Sequence, residues 1–126
     1  MGKLLDVRGP FTIEWPDHPG VKFPVRAEPI QASASGNNTV LRAPGRGQFY
    51  RVGGWNYVAT ADVAATWFSG TRVVVGKQDL IAHGGMVVNA WPGFILETDA
   101  GKDLVLNLSL AVNVGGSLWF TILTYP

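Results

Sequence analysis

Apolar side chains alternate with small polar ones along the last quarter of the chain. Every second residue from Leu104 to Val114 is leucine or valine, and the positions between them are Val105, Asn107, Ser109, Ala111 and Asn113. A period of two is typical of a β-strand with one face in a core. The run Gly115-Gly116-Ser117 then predicts a tight turn into a second strand over residues 118–125. The pattern therefore indicates a final β-hairpin.

The second face of this predicted hairpin carries no charged side chain, although a sheet face in water usually does. Three explanations are open: burial inside one domain, burial under the chain's own N-terminal segment, or burial against another copy of the chain. The third predicts a self-association face and predicts that Asn107→Lys dissociates the oligomer. Its residues are Val105, Asn107, Ser109, Ala111, Asn113, Trp119, Leu123 and Tyr125.

Short alternating runs separated by glycine-rich turns occupy the middle of the chain, and no stretch has a helical period. We predict further strands over residues 39–43, 48–60, 63–69, 71–75, 86–89 and 94–98, with a bulge at Gly53-Gly54. About eight short strands favour an all-β fold, a single-domain β-sandwich with jelly-roll-like wiring over residues 36–126.

The first third of the chain has a different composition, because six of the eight prolines lie before position 45. Proline removes hydrogen-bond donors from a sheet, so residues 1–35 are predicted to form an extended, proline-rich N-terminal arm. A disordered tail is the alternative, but the segment is too apolar for a solvated linker. The arm is therefore expected to bind a partner, and a chain without residues 1–30 is expected to fold and associate but not to bind it. Its apolar anchors are Leu4, Leu5, Val7, Phe11, Ile13, Trp15, Val21 and Phe23.

Composition narrows the function classes. The net charge of +1 gives no sign of direct nucleic-acid binding or of binding to an anionic membrane. The chain contains no cysteine, which excludes disulfides and thiolate chemistry. The first ten residues lack the apolar stretch of a secretion signal, so we expect synthesis and residence in a cytoplasm.

Candidate catalytic and metal-binding residues do not form a set. His83-Gly84-Gly85 is similar to an oxyanion loop, but the chain has no nucleophile motif, and a turn entering a strand is the better interpretation. Asp17-His18 and the pair Asp99 and Asp103 are interpreted as loop residues. We therefore predict no enzyme activity, no cofactor and no metal site.

Arginines beside aromatic residues leave a binding function open. Arg42, Arg46 and Arg51 lie near four aromatic residues, a mixture that can stack on bases or sugars. An exposed aromatic shelf for a carbohydrate could also use one of three residues: Trp55, Tyr57 or Trp91.

Several motifs together resemble a group of small structural proteins of tailed bacteriophages. The motifs are "ASASGNNTV", "VAATWFSGTRVVVG", "LIAHGGMVV" and "GFILETDAGKDLVLNLSLAVNVGGSLWFTI". The last is the most specific, and together they cover about residues 32–124, so the proline-rich N-terminus lies outside the resemblance.

The resemblance implies a non-enzymatic decoration or cement protein with a jelly-roll-like fold. Such a protein is made in the bacterial host cytoplasm, forms a homotrimer, binds the major capsid protein and stabilises the outside of the phage head. A tail or neck component, or a receptor-binding or carbohydrate-binding component, of the same virion is the alternative.

Overall fold

Residues 11–125 of the computed structural model form two antiparallel sheets packed face to face, with a small third sheet outside them. These residues contain no helix. The strands are β1 (Thr12–Ile13), β2 (Phe23–Pro24), β3 (Arg26–Ala32), β4 (Gly36–Leu41), β5 (Gln48–Ala59), β6 (Val63–Ser69), β7 (Arg72–Leu80), β8 (Gly85–Asn89), β9 (Leu96–Glu97), β10 (Leu104–Leu108) and β11 (Val114–Thr124). The predicted all-β sandwich is confirmed.

One sheet has the order β3-β11-β5-β8, with β9 also paired to β5, and the other has the order β4-β10-β6-β7. From β3 to β6 each strand crosses to the opposite sheet, as do the connections from β7 to β8 and from β10 to β11. Repeated crossing between two packed antiparallel sheets is the kind of wiring found in jelly rolls. The jelly-roll assignment itself stays a prediction.

The core lies between the two sheets and follows the alternation of the strands. β10 contributes Leu104, Leu106 and Leu108, which are all fully buried. Trp55 of β5 meets Trp67 of β6 across the interior, with ring centroids 5.3 Å apart. Burying each such large side chain stabilises the fold by about 1.5–3 kcal/mol.

The bulge predicted at Gly53-Gly54 is confirmed and reverses the facing of β5. Trp119 pairs with Gly54 and Phe120 pairs with Val52, so Gly53 is the extra residue. As a result Tyr50 and Val52 before the bulge face the same interior as Trp55 and Tyr57 after it.

The predicted final hairpin is wrong. Strands β10 and β11 belong to opposite sheets, and residues 109–113 connect them. Gly115, Gly116 and Ser117 lie inside β11 instead of forming a turn. Gly116 is required for packing, because a Cβ atom there would lie 1.9 Å from the Asn56 carbonyl oxygen.

The predicted boundary between arm and domain at residue 35 is also wrong. Strand β3 pairs along β11 and places Ile30 and Ala32 in the core. Pro29 lies in an edge strand, the position in a sheet where proline is tolerated, because only one side of the strand is paired. Residues 11–25, called the N-terminal segment from here on, fold back over the outside of the five-stranded sheet.

Candidate interaction surfaces

The N-terminal segment builds a second, smaller core on the outer face of the five-stranded sheet. Ile13 and Trp15 lie buried against Phe49 of β5 and Leu123 of β11. Trp15 Nε1 donates a hydrogen bond of 3.2 Å to Thr121 Oγ1 of β11. The pairing of β1 with β2 closes the segment into a loop, so Ile13, Trp15 and Phe23 face the sheet together.

Arg51 is the polar centre of this second core and is only 4% exposed. Its Nη1 and Nη2 atoms donate to the two carboxylate oxygens of Asp17 at 2.9 and 2.8 Å. Its Nε donates to Glu97 Oε2 at 2.7 Å. The guanidinium also lies 5.0 Å from the ring centre of Trp15 and 4.2 Å from that of Phe94. Asp17, Arg51 and Glu97 are called the Arg51 cluster below.

The pKa values in the Arg51 cluster follow from this geometry. Hydrogen bonds from Arg51 hold the pKa of the Asp17 carboxyl well below its ordinary value. Burial alone would lower the pKa of Arg51, but its hydrogen bonds to Asp17 and Glu97 raise it overall. Asp17 and Arg51 are therefore both charged at neutral pH, and their ion pair fastens the N-terminal segment to the sheet.

Trp119 lies flat on the bulge between the N-terminal segment and a surface loop. A Cβ atom at Gly53 would fall 1.7 Å from Cη2 of the Trp119 ring, so only glycine leaves room for the indole. Trp15 is nearly parallel to this ring, with an interplanar angle of 7° and centroids 6.5 Å apart. Trp91 meets it from another side at 5.4 Å.

Beyond the N-terminal segment, the outer face of the five-stranded sheet is open and uncharged. Its outward positions follow from the register of β3, β11, β5 and β8: Ala27, Pro29, Gln31, Gly115, Ser117, Asn56, Val58, Val87 and Asn89. A shallow groove of about 220 Å³ crosses this area beside Trp119.

The outer face of the four-stranded sheet is a second surface, and it is uncharged across three of its strands, β4, β10 and β6. Val105 of β10 lies between Thr39 and Phe68, and Asn107 lies between Asn37 and Thr66. Asn107 Nδ2 donates to Asn37 Oδ1 at 2.7 Å. The nearest charged side chains stand at the rim, on the edge strand β7 and in the loop before β10.

The eight residues predicted for self-association do not form one surface. Val105 and Asn107 lie on the outer face of the four-stranded sheet, and Ser109, Ala111 and Asn113 are exposed in the connection between the sheets. Trp119, Leu123 and Tyr125 belong to the opposite side of the molecule. Leu123 is buried by the N-terminal segment, and the Tyr125 ring rests on Phe49 with centroids 4.6 Å apart. The set is divided because the hairpin on which it was based does not exist.

The residues predicted to anchor the arm on a partner are also divided. Ile13 and Trp15 are buried in the chain's own second core, and Phe23 packs beside them. Phe11 and Val21 remain exposed, by 80% and 46%. Leu4, Leu5 and Val7 lie outside the described residues. Ile13, Trp15 and Phe23 therefore pack on the chain's own sheet. The binding of a partner by Phe11 and Val21 stays a prediction.

Arg51, Trp55 and Tyr57 do not form the platform that the sequence left open, because Trp55 and Tyr57 point into the main core and Arg51 is buried in the second one. His83 lies in a turn before β8, as predicted, with a φ of 59°. Asp99 pairs with Arg72 at 2.9 Å. No group of three or more residues able to hold a metal ion occurs in residues 11–125, and the same range contains no helix that could span a membrane.

Sequence reasoning missed the Arg51 cluster. Its members come from three separate parts of the chain, and no spacing rule connects Asp17 with Arg51 or Glu97. One signal was present: Arg51 is the one charged residue in the twelve-residue strand β5. A single charge inside an otherwise uncharged central strand needs a partner of opposite charge.

Comparison with known proteins adds no relative. No family model matches the chain, and neither a curated protein nor a solved structure matches it. The resemblance to phage structural proteins therefore stays a prediction.

Proposed function

We propose that this protein is a non-enzymatic structural protein of a tailed-phage virion, a homotrimer that binds the outside of the capsid and stabilises it. The observation that carries the proposal is the lack of charge on the outer face of β4, β10 and β6, centred on Asn107; Val105 beside it is already buried within the chain. A sheet face that meets only water rarely lacks charge across three adjacent strands. The sequence motifs that resemble phage decoration proteins supply the identity of the assembly.

The trimer contact is assigned to that face. Apart from Phe68 of β6, the outward side chains on β4, β10 and β6 are small or amide-bearing, so neighbouring copies can approach closely around an axis. Permanent interfaces bury upwards of about 2,000 Å² and are depleted in charge. The opposite face is less suitable, because the N-terminal segment already covers part of it.

Asn107→Lys tests the trimer contact. The purified chain is expected to have three times its 13.5 kDa mass in light scattering after size exclusion. An ammonium group at position 107 would be desolvated in the contact, so the variant is expected to run as a monomer. Asn107→Ser introduces no charge and should retain the trimer.

The matched control is Asn56→Lys, which places the same charge on the outer face of the opposite sheet. Asn56 is exposed and bonded to Ser117 of the neighbouring strand, much as Asn107 is bonded to Asn37. This variant should remain trimeric. A monomeric parent protein at high concentration, or an Asn107→Lys variant that stays trimeric, would contradict the proposal.

Contact with the capsid is assigned to the exposed side chains of the N-terminal segment. Phe11 and Val21 are the predicted anchors that stay accessible, since Ile13 and Trp15 are buried within the chain. The double variant Phe11→Ser/Val21→Ser is expected to retain the trimer and to occupy fewer sites on phage heads in electron micrographs. Density on the tail or neck instead of the head would favour the alternative location.

A further inference from the structure

The groove on the open part of the five-stranded sheet combines features of a ligand site: a floor without a side chain, neighbouring aromatic rings and neutral polar groups. Gly54 forms its floor, and a Cβ atom there would lie 2.6 Å from the Val88 carbonyl oxygen, so the floor stays free of a side chain. The outward side chains around it are Ala27, Asn56, Val87, Asn89, Ser117 and Trp119.

Trp119 forms an aromatic edge of the groove, and Trp91 extends this edge from just outside the groove lining, with its ring centroid 5.4 Å from that of Trp119. Trp119 is fixed from three directions, by Gly53 beneath it, Trp15 parallel to it and Trp91 at its side. Trp91 itself is 55% exposed, and its backbone N–H donates to Asn89 Oδ1 at 3.0 Å. A preorganised aromatic surface loses little conformational entropy when a ligand stacks on it.

The polar groups in the groove are neutral. Asn56 Nδ2 donates to Ser117 Oγ at 3.3 Å, which leaves Asn56 Oδ1 free to accept a hydrogen bond. Asn89 adds a second amide, and the lining contains no Asp, Glu, Lys or Arg. Single-stranded nucleic acid binds aromatic grooves that also carry positive charge, so this lining does not suit it.

We propose that the groove binds one neutral sugar ring of a glycan, with the ring's C–H face against the indoles and its hydroxyls bonded to Asn56 and Asn89. A pyranose offers an apolar face and a rim of neutral hydroxyls, which is the complement of this lining. The volume of about 220 Å³ is below the roughly 300–1,000 Å³ of typical small-molecule sites, so one ring fits and a larger ligand would extend into solvent. This site is independent of the trimer contact, which lies on the opposite sheet.

Titration followed by NMR tests the sugar site. Glucose, galactose, mannose and N-acetylglucosamine are added separately, up to about 100 mM, to ¹⁵N-labelled protein, since a single ring on an open groove implies a millimolar dissociation constant. At least one sugar is expected to shift the indole N–H signals of Trp91 and Trp119 in a saturable way. The indole signals of Trp55 and Trp67, which are buried in the main core, should not move.

Trp91→Ala and Asn56→Ala are expected to raise the dissociation constant of that sugar by about tenfold or more. Asp79→Asn, on the edge strand of the other sheet and outside the trimer contact, should leave it unchanged. The absence of a saturable shift with all four sugars would overturn the proposal. So would a shift that survives Trp91→Ala, or one that appears on concentrating the protein without sugar, which would mean that a second copy occupies the groove.

Discussion

A guanidinium buried outside the main core needs both charged partners and apolar cover, and Arg51 has both. Its carboxylate partners are themselves partly in water, since the Asp17 side chain is 53% exposed and that of Glu97 is 35% exposed. The main free-energy cost of losing a partner therefore falls on Arg51, because its buried guanidinium cannot be hydrated in place of the lost carboxylate. Because Asp17 belongs to the N-terminal segment, this interaction decides how tightly the segment is held.

Replacing Asp17 by Asn is expected to lower the free energy of unfolding by about 1–3 kcal/mol, because the buried guanidinium loses its bidentate partner. Urea denaturation at neutral pH measures the change. Asp79→Asn is the matched control, since Asp79 is exposed and lies 3.8 Å from Lys77. That variant should stay within about 0.5 kcal/mol of the parent. Equal effects of the two substitutions would show that Asp17 is an ordinary surface carboxylate.

The same contact predicts a loss of stability in acid. The pKa of Asp17 is lowered in the folded chain. Its contribution to stability is therefore present above about pH 4, the pKa of aspartate in an unfolded chain, and is lost progressively as the pH falls below that value. Urea unfolding from pH 7 to pH 3 should show the parent protein and Asp17→Asn converging as the pH falls. A smaller slope should persist in the variant, since hydrogen bonds from Arg72 also lower the pKa of Asp99. A constant difference across this range would contradict the assignment.

For single residues, the sequence predicted burial correctly where it follows from strand alternation. It did not predict the role of a residue that pairs with residues far away in the sequence. The burial of Leu104, Leu106 and Leu108 follows from their parity. The role of Arg51 does not, because its partners are 34 and 46 residues away. Long-range pairing of this kind leaves no periodic trace.

Among the elements, β5 determines the arrangement of both cores through its bulge. The extra residue Gly53 turns Phe49 and Arg51 toward the second core while Tyr50 and Trp55 serve the main one. One long strand thereby contributes side chains to both cores. The missing side chain at Gly53 leaves the space that Trp119 fills.

Gly53→Ala is expected to destabilise the fold by roughly 1–3 kcal/mol, since the new methyl group overlaps the Trp119 ring. Gly76→Ala in β7 is the control, because a Cβ atom there meets nothing within 4 Å. It should be neutral or slightly stabilising, as the substitution restricts the unfolded chain. Circular dichroism melts compare the two variants, and similar melting temperatures would argue against a tight fit at the bulge.

Trp15→Ala should release the N-terminal segment before the sandwich unfolds. A fully buried tryptophan in a core typically contributes about 3–5 kcal/mol, and here that energy holds a local element. Residue-resolved hydrogen exchange is expected to show faster exchange at Ile13 and Phe23 and little change in β6. Trp91→Ala, which removes an exposed tryptophan, is the control. Equally faster exchange in β6 would mean that the segment opens only with the whole fold.

Element prediction from the sequence worked for β6 and β5 and failed at the chain's end, for a physical reason. Residues 63–69 were predicted with the bounds that the structure shows. Near Gly115-Gly116, glycine indicated a turn, but Gly116 is needed because the neighbouring backbone approaches too closely for a side chain. The real change of sheet occurs in residues 109–113, where alternation continues and gives no signal of a break.

The whole molecule has three layers at one end and two at the other. The four-stranded sheet, the five-stranded sheet and the N-terminal segment are stacked at the end that contains Arg51, and the segment leaves the groove beside Trp119 uncovered. Composition and alternation predicted a sandwich but not this asymmetry. The prolines and apolar residues of residues 11–25 indicate a segment that packs on a surface, but they do not distinguish the surface of a partner from that of the chain itself.

Deleting residues 1–30 is now expected to prevent folding instead of leaving a folded oligomer. The deletion removes the N-terminal segment and most of β3, including Ile30 of the main core. Phe49 and Leu123 would also lose their cover. Expression of the truncated chain followed by circular dichroism checks this outcome, and a cooperative melt like that of the parent would contradict it.

The way the N-terminal segment is fastened also sets how the molecule would bear mechanical load. A pull on Phe11 would first peel β1 from β2 and then strain Trp15 and Asp17, before any tension reached the edge strand β3. Once detached, residues 11–25 would extend to a length of roughly 50 Å. If the protein is held through this segment, the segment would therefore extend under a sudden force while the β-sandwich stayed folded.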